Sequence, residues 1–178
     1  MKKKIDVFDY SSHILKELQK GVLVTTKVDD RVNTMSISWG TLGIQWNRPI
    51  FTIFVREGRF TKDLLEKNPE FTINIPYGEI DEEIIEFCGT KSGREIDKVK
   101  ELNLSIEESD LISVPGIKEF PLTLECKVIY KQKQDVKEIP YNIMNEFYPE
   151  EGNKDSPSDI SDIHTAYYGE IVSGYIIE

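Results

Sequence analysis

Apolar positions along the chain fall into short runs that alternate with polar ones at the period of strands, interrupted by a few stretches with the longer period of helices. The runs Gly21-Val22-Leu23-Val24-Thr25-Thr26 and Pro49-Ile50-Phe51-Thr52-Ile53-Phe54-Val55 predict two strands, and the pattern as a whole predicts strands near 21–28, 33–40, 50–56, 71–75, 122–131 and 165–176. Asp29-Asp30 makes the turn between the first two, and Asn47-Arg48-Pro49 ends a loop before the third. Residues 11–20 predict a helix, with a Ser start, Ile14, Leu15 and Leu18 on one face, and Gly21 as the stop. Residues 61–68 predict a second, capped by Thr61, with Leu64 and Leu65 inward and Asn68-Pro69 as its end. Residues 81–87, with acids in the first turn where the helix dipole favours them, and 96–102 predict two more. Many short strands with a few short helices predict a mainly β fold, a barrel of six or seven antiparallel strands decorated with helices. The sequence contains no internal repeat.

Residues 131–163 break this rhythm. They carry Pro140, Pro149 and Pro157 and an acidic run over 146–162 around Gly152-Asn153. A structureless loop of that length is improbable inside a compact domain, so a short helix near 141–147 followed by an irregular acidic segment is expected. The insertion, taken as 132–163, leads into His164, so it either covers a site there, reaches a partner subunit, or is a tolerated surface insertion.

With 178 residues the chain is expected to form a single domain over 1–178, large enough to bury a core. Its 39% hydrophobic and 30% charged residues exclude a disordered chain. No apolar run approaches the roughly 20 residues of a membrane span, and the basic start Met1-Lys2-Lys3-Lys4 lacks the apolar core of a signal peptide. The formal net charge of -10 opposes binding to nucleic acid. Cys88 and Cys126 do not make a disulfide framework and read as reduced thiols, which places the protein in the cytoplasm.

Candidate chemistry concentrates in residues 33–39, Asn-Thr-Met-Ser-Ile-Ser-Trp. Small polar residues, a Met and a Trp within an apolar region offer hydroxyls, an amide and an aromatic face on one element. That set suits a planar ligand with a polar edge, such as a flavin, through Asn33, Thr34, Met35, Ser36 and Trp39. Alternation alone reads the same stretch as a strand with Ser and Thr toward solvent and Trp39 in the core. One strand later, Arg56-Glu57-Gly58-Arg59-Phe60-Thr61-Lys62 puts cations and a hydroxyl before a short helix, where a phosphate could sit. Arg56, Arg59, Phe60 and Thr61 are the candidates there, and Lys62 is expected to point to water. His13 has nothing around it to suggest chemistry. Glu125 and Glu170 read as structural charges. Neither a Cys-x-x-Cys, a metal-ligand cluster, a dinucleotide fingerprint nor a P-loop occurs.

These two segments resemble those of the flavin reductase-like family. Four further pieces agree in the same order: residues 71–76 (Phe-Thr-Ile-Asn-Ile-Pro), 88–98 (Cys-Gly-Thr-Lys-Ser-Gly-Arg-Glu-Ile-Asp-Lys), 124–128 (Leu-Glu-Cys-Lys-Val) and 164–172 (His-Thr-Ala-Tyr-Tyr-Gly-Glu-Ile-Val). The small flavoredoxin-type proteins are the most similar subgroup, and the 132–163 insertion is the main departure. The resemblance implies the FMN-binding split β-barrel, Greek-key-like, in a homodimer that binds FMN at its interface. It also implies that Gly93, Arg94 and Lys98 approach the cofactor, Lys98 near the N1 and O2 edge of the flavin, and that His164 contacts the phosphate or ring edge. No protein residue is assigned a catalytic role, because the flavin carries the chemistry. Three functions remain open: a reductase using NADH or NADPH, a carrier reduced by a redox protein partner, and a flavin-binding protein without turnover.

Overall fold

The computed structural model describes residues 1–148 and 162–178. Its strands are β1 (Lys2–Lys4), β2 (Val22–Val28), β3 (Arg31–Ile37), β4 (Gly40–Gln45), β5 (Arg48–Arg56), β6 (Glu70–Ile75), β7 (Ile106–Glu107), β8 (Gly116–Ile117), β9 (Leu122–Lys133) and β10 (His164–Ile177). The helices are α1 (Ser11–Lys20), α2 (Phe60–Leu65), α3 (Glu82–Thr90), α4 (Lys98–Glu101) and α5 (Tyr141–Phe147). One antiparallel sheet runs in the order β3-β2-β6-β9-β10-β5-β4, while β1 lies beside the last part of β10 and β7 pairs with β8 apart from the sheet.

The strand order shows how the sheet curls. β3 and β4 stand at its two ends, yet only Ser38 and Trp39 separate them in sequence. Three Cα steps of about 3.8 Å cannot span more than roughly 11 Å. The two ends of the sheet are therefore neighbours, and the sheet is a split barrel. The expectation of one strand over 33–40 is corrected at this point: pairing with β2 stops at Ile37, and Gly40 pairs with Ile53 instead. The loop expected before residue 50 is also a correction. Trp46 and Asn47, with φ of 52° and 57°, form a two-residue hairpin turn that joins β4 to β5, and Gln45 pairs with Arg48 across it.

The barrel interior is filled by alternate residues of the strands, among them Val22, Val24, Met35, Phe51, Ile53, Phe71, Ile73, Leu124 and Tyr167. β10 bends where its register to β9 shifts, between Tyr168 and Gly169 and again between Ile171 and Ser173. A Cβ at Gly169 would collide with the ring of the fully buried Phe71, so the bend needs a glycine for lack of room. A second cluster, Leu23, Ile84, Cys88, Leu104, Ile117 and Phe120, packs α3 and the 98–120 segment on the outside of β2.

The helices begin and end where local chemistry directs. α1 runs over the expected residues and stops at Gly21, whose φ of 127° suits a residue without a side chain. Its buried side is Ile14 and Leu18, whereas Leu15 is exposed. Asp81 and Asp97 cap α3 and α4 by accepting from the N–H groups of Glu83 and Lys100. Thr61 does not cap α2: the cap position is Arg59, and Thr61 lies buried one residue inside the helix. α5 occupies the residues where the helix in the insertion is expected, whereas the acidic run over 146–162 falls mostly outside the described residues. Among the described residues no helix is long and apolar enough to cross a membrane, and no group of His, Cys, Asp and Glu could hold a metal ion.

Candidate functional site

The middle of β3, the start of α2 and the 90–98 segment face one another across a cavity of about 730 Å³. Asn33 and Met35, two residues apart and so on one face of β3, form its floor. Arg59, Phe60 and Thr61 line one side, and Gly93, Arg94 and Lys98 the other. A smaller cavity of about 190 Å³ continues past Met35 and Arg59, which line both, to Ser36, Trp39, Arg56 and His164. Twelve of the thirteen candidate residues thus line one continuous site. The exception is Thr34, which alternation turns to the opposite face, where its hydroxyl donates to the carbonyl of Val24 (3.3 Å).

Hydrogen bonding separates the residues that brace the site from those with free valences. Asn33 Nδ2 donates to Thr61 Oγ1 (3.1 Å), which fixes β3 to α2. The Thr61 hydroxyl hydrogen has no acceptor among the described residues. The Arg31 guanidinium donates to the carbonyl of Gly93 and lies over the Phe60 ring, 4.7 Å from its centroid. Arg94 is engaged twice, by the Gly58 carbonyl (2.8 Å) and by Asp63 (2.7 Å). Arg56 reaches the carbonyls of Asp162 and Phe147, both at 3.1 Å, and stacks on Tyr148. Arg59 differs. It makes one hydrogen bond, to the Gly89 carbonyl (3.1 Å), so its other N–H groups remain available to a ligand among the described residues. Lys62, expected in water, lies 3.8 Å from both Glu57 and Glu66.

Two buried titratable groups face the site. Lys98 is buried, and its ammonium donates to the carbonyls of Cys88 (3.0 Å) and Lys91 (3.2 Å), leaving one N–H. Burial lowers its pKa to about 8, opposed by the Cys88 thiol and assisted by Arg59. His164 is buried beside Trp39, and its Nδ1 lies 2.6 Å from the Tyr148 hydroxyl, which donates to Gln134 Oε1 (3.1 Å). Burial, with Arg56 and Arg59 nearby, lowers its pKa to about 4. At neutral pH it is therefore an uncharged hydrogen-bonding group and not a counter-ion for phosphate. Trp39 is not in the core. It stands half exposed between His164 and Phe147, 5.2 Å from each ring.

The donor set suits an anion. The larger cavity is lined by four cations, Arg59, Lys91, Arg94 and Lys98, and three carboxylates, Glu57, Asp162 and Glu95. It is thus locally positive in a chain of net charge -10. Free donors remain on Arg59, Thr61 and Lys98, and the backbone at Gly93 comes so close that a Cβ there would collide with Asn33. Cys88 and Cys126 are free and buried, and burial raises both thiols, Cys88 to about 11, so neither is a thiolate nucleophile.

Residues 1–32 and the insertion supply members that pattern reading passes over. Arg31 could have been found, since it lies on the same face of β3 as Asn33. Tyr148 and Gln134 carry no local signal, because they join the site only through the path of the insertion.

The flavin reductase like domain family matches residues 18–178. An uncharacterised protein of Archaeoglobus fulgidus is 28% identical over 100 residues, covering 56% of this chain and 55% of that protein. The chain therefore spans about half the length of that curated relative. Among solved structures, the flavoredoxin of Desulfovibrio vulgaris (Miyazaki F) superposes with a TM-score of 0.65 at 23% identity, over 89% of this chain and 69% of that one. Nitrilotriacetate monooxygenase component B from Bacillus cereus superposes with a TM-score of 0.66 at 18% identity, over 99% and 79%. Both similarities show the fold.

Proposed function

The chain belongs to the flavin reductase-like family, and we propose that it binds FMN in the paired cavities and passes electrons from NADH or NADPH through it. The observation that carries the reading is the locally positive cavity joined to the Trp39 and His164 cavity through Met35 and Arg59. When bound, FMN would supply hydride acceptance from a nicotinamide and electron release to an acceptor. Arg59 and the Thr61 hydroxyl would hold the phosphate, with the first-turn N–H groups of α2 that precede its hydrogen-bond ladder. Arg94 and Arg56 would act by holding the walls, since their guanidinium groups are engaged with the protein. Lys98 offers a positive charge to an anionic ring edge. His164 offers a neutral hydrogen bond, and the Trp39 indole shields the smaller cavity from water.

The test is the visible spectrum of the protein mixed with FMN and desalted, before and after anaerobic NADH and NADPH. Retained flavin that bleaches is the expected result. Arg59→Ala is expected to weaken FMN binding by about tenfold to a hundredfold, the loss of one or two charge-assisted bonds at roughly 1.5 kcal/mol each. Flavin that is retained but stays oxidised with both nucleotides would replace the reductase reading with a carrier reduced by a protein. The net charge of -10 favours that second reading, because it suits docking to a basic partner.

We also propose a cytoplasmic homodimer. Supporting it, Ile44, Trp46 and Tyr130 are 70%, 57% and 42% exposed, and Trp46, Tyr130 and Tyr168 form a line of ring contacts outside the barrel. Such an apolar surface is typical of an interface. Trp46→Glu is expected to convert the dimer to a monomer at micromolar concentration. Light scattering checks this, and an unchanged mass would remove this face from the interface.

A further inference from the structure

A third cavity of about 690 Å³ lies between α1, the β3–β4 crossing and α5. In a chain with 30% charged residues, none of the residues lining it is charged. Leu15 and Leu18 form one wall, Ile139, Ile143 and Phe147 the other, and Phe54 the base. Its volume is in the range of about 300–1,000 Å³ usual for small-molecule sites. Ser38, Trp39 and Phe54 line both this chamber and the smaller cavity that holds His164, so the chamber opens onto the flavin site along the Trp39 indole.

Polar groups at its edge are set as donors. The Tyr148 hydroxyl donates to Gln134 Oε1, which leaves the Gln134 amide N–H groups as donors, and Ser38 adds a hydroxyl. We propose that this chamber binds an uncharged, mainly apolar organic compound bearing a carbonyl, held by apolar walls and by hydrogen bonds to its carbonyl oxygen. A charged compound is excluded because it would leave water without a counter-charge. One of the two apolar walls, 139–147, and most of the polar edge, Gln134 with Tyr148, come from the insertion. The insertion is thereby a specificity element, and the bound compound lies where a reactant of the flavin would lie. That last role rests on the flavin reading, whereas the binding does not.

Calorimetry of the FMN-free and FMN-loaded protein with 1-tetralone, an uncharged bicyclic ketone, tests the proposal. One saturable site is expected in both forms, with 1-naphthoate, an anion of similar size, at least about tenfold weaker. Ile143→Arg and Leu15→Glu lie on opposite walls at half-exposed positions that tolerate substitution, 40% and 43% exposed. Each is expected to weaken tetralone about tenfold or more while FMN retention stays as in the unmodified protein. Absence of saturable binding, equal binding of naphthoate, or undiminished binding in both variants would overturn the proposal. So would a dimer that excludes tetralone while either variant runs as a monomer, since the chamber would then seat a second copy of the chain. Tetralone binding without FMN retention would overturn the flavin reading alone.

Discussion

Gly93→Val is expected to abolish flavin retention after desalting and to destabilise the protein by about 1–3 kcal/mol, the range for forcing extra carbon into a packed site. A Cβ at this position would collide with Oδ1 of Asn33 and approach Phe60 Cδ1 to 2.9 Å. Neither neighbour can yield. Asn33 is buried and tied to Thr61, and Phe60 is covered by the guanidinium groups of Arg31 and Arg94. Moving Asn33 therefore displaces Thr61, and moving Gly93 loosens the Arg31 bond to its carbonyl. Losing the Thr61 donor at roughly 1.5 kcal/mol corresponds to about tenfold in affinity, and the valine side chain adds a steric loss in the cavity that Gly93 lines. Gly43→Ala is the control, because a Cβ there meets nothing within 4 Å. Adding Asn33→Ala to Gly93→Ala should recover part of the stability but not the flavin, since it removes the colliding amide together with the brace on Thr61. Full flavin retention by Gly93→Val, measured by absorbance after desalting, would place the ligand elsewhere.

The parts of this site that sequence makes legible are those set within one element. Asn33 and Met35 share a face because strands have a period of two, and Arg59 to Thr61 adjoin because they are consecutive. α1 is legible at its C-terminal end because a Gly stop is a local signal, whereas its start falls at Ser11 without a side-chain cap: the cap position is Tyr10, and the Ser11 hydroxyl donates back to the Phe8 carbonyl. β4 is not legible, since Gly40, Thr41 and Gly43 give it little apolar content, and its Trp46-Asn47 turn lacks the glycine that usually marks such hairpins. Nor can sequence say which arginine is free. Arg56, Arg59 and Arg94 look alike until distant segments arrive and hold Arg56 by the carbonyls of Asp162 and Phe147, Arg94 by the Gly58 carbonyl and Asp63, and Arg59 by the Gly89 carbonyl alone. The same holds for Trp39. Its place outside the core depends on the chain crossing from one end of the sheet to the other at that residue, which is a property of the strand order and not of the local pattern.

FMN affinity is expected to fall about tenfold between pH 7 and pH 9, while the stability of the flavin-free protein rises over the same interval. Both trends follow from Lys98. Burial holds its ammonium at a pKa of about 8, against 10.5 for a free lysine. At pH 9 the folded, flavin-free protein has mostly lost this proton, whereas the unfolded chain keeps it. The unfolded state then binds more protons, and stability climbs with pH from about 8 toward 10.5. An anionic flavin works the other way. It favours the charged ammonium, so binding above pH 8 must take up a proton, and affinity drops by up to about tenfold per pH unit. Cys88, with its pKa raised to about 11, stays protonated throughout this window. Lys98→Met should bind FMN more weakly at pH 7, show a flat affinity between pH 7 and 9, and be more stable than the unmodified protein at pH 7, with that advantage shrinking as pH rises. Fluorescence titration of FMN and thermal melts across the pH series check both slopes. Parallel slopes in the unmodified protein and in Lys98→Met would show that Lys98 does not face the ligand. A change in stability alone, with affinity flat in both, would leave Lys98 as a buried brace between Cys88 and Lys91, and would move the positive charge at the flavin edge to Arg59.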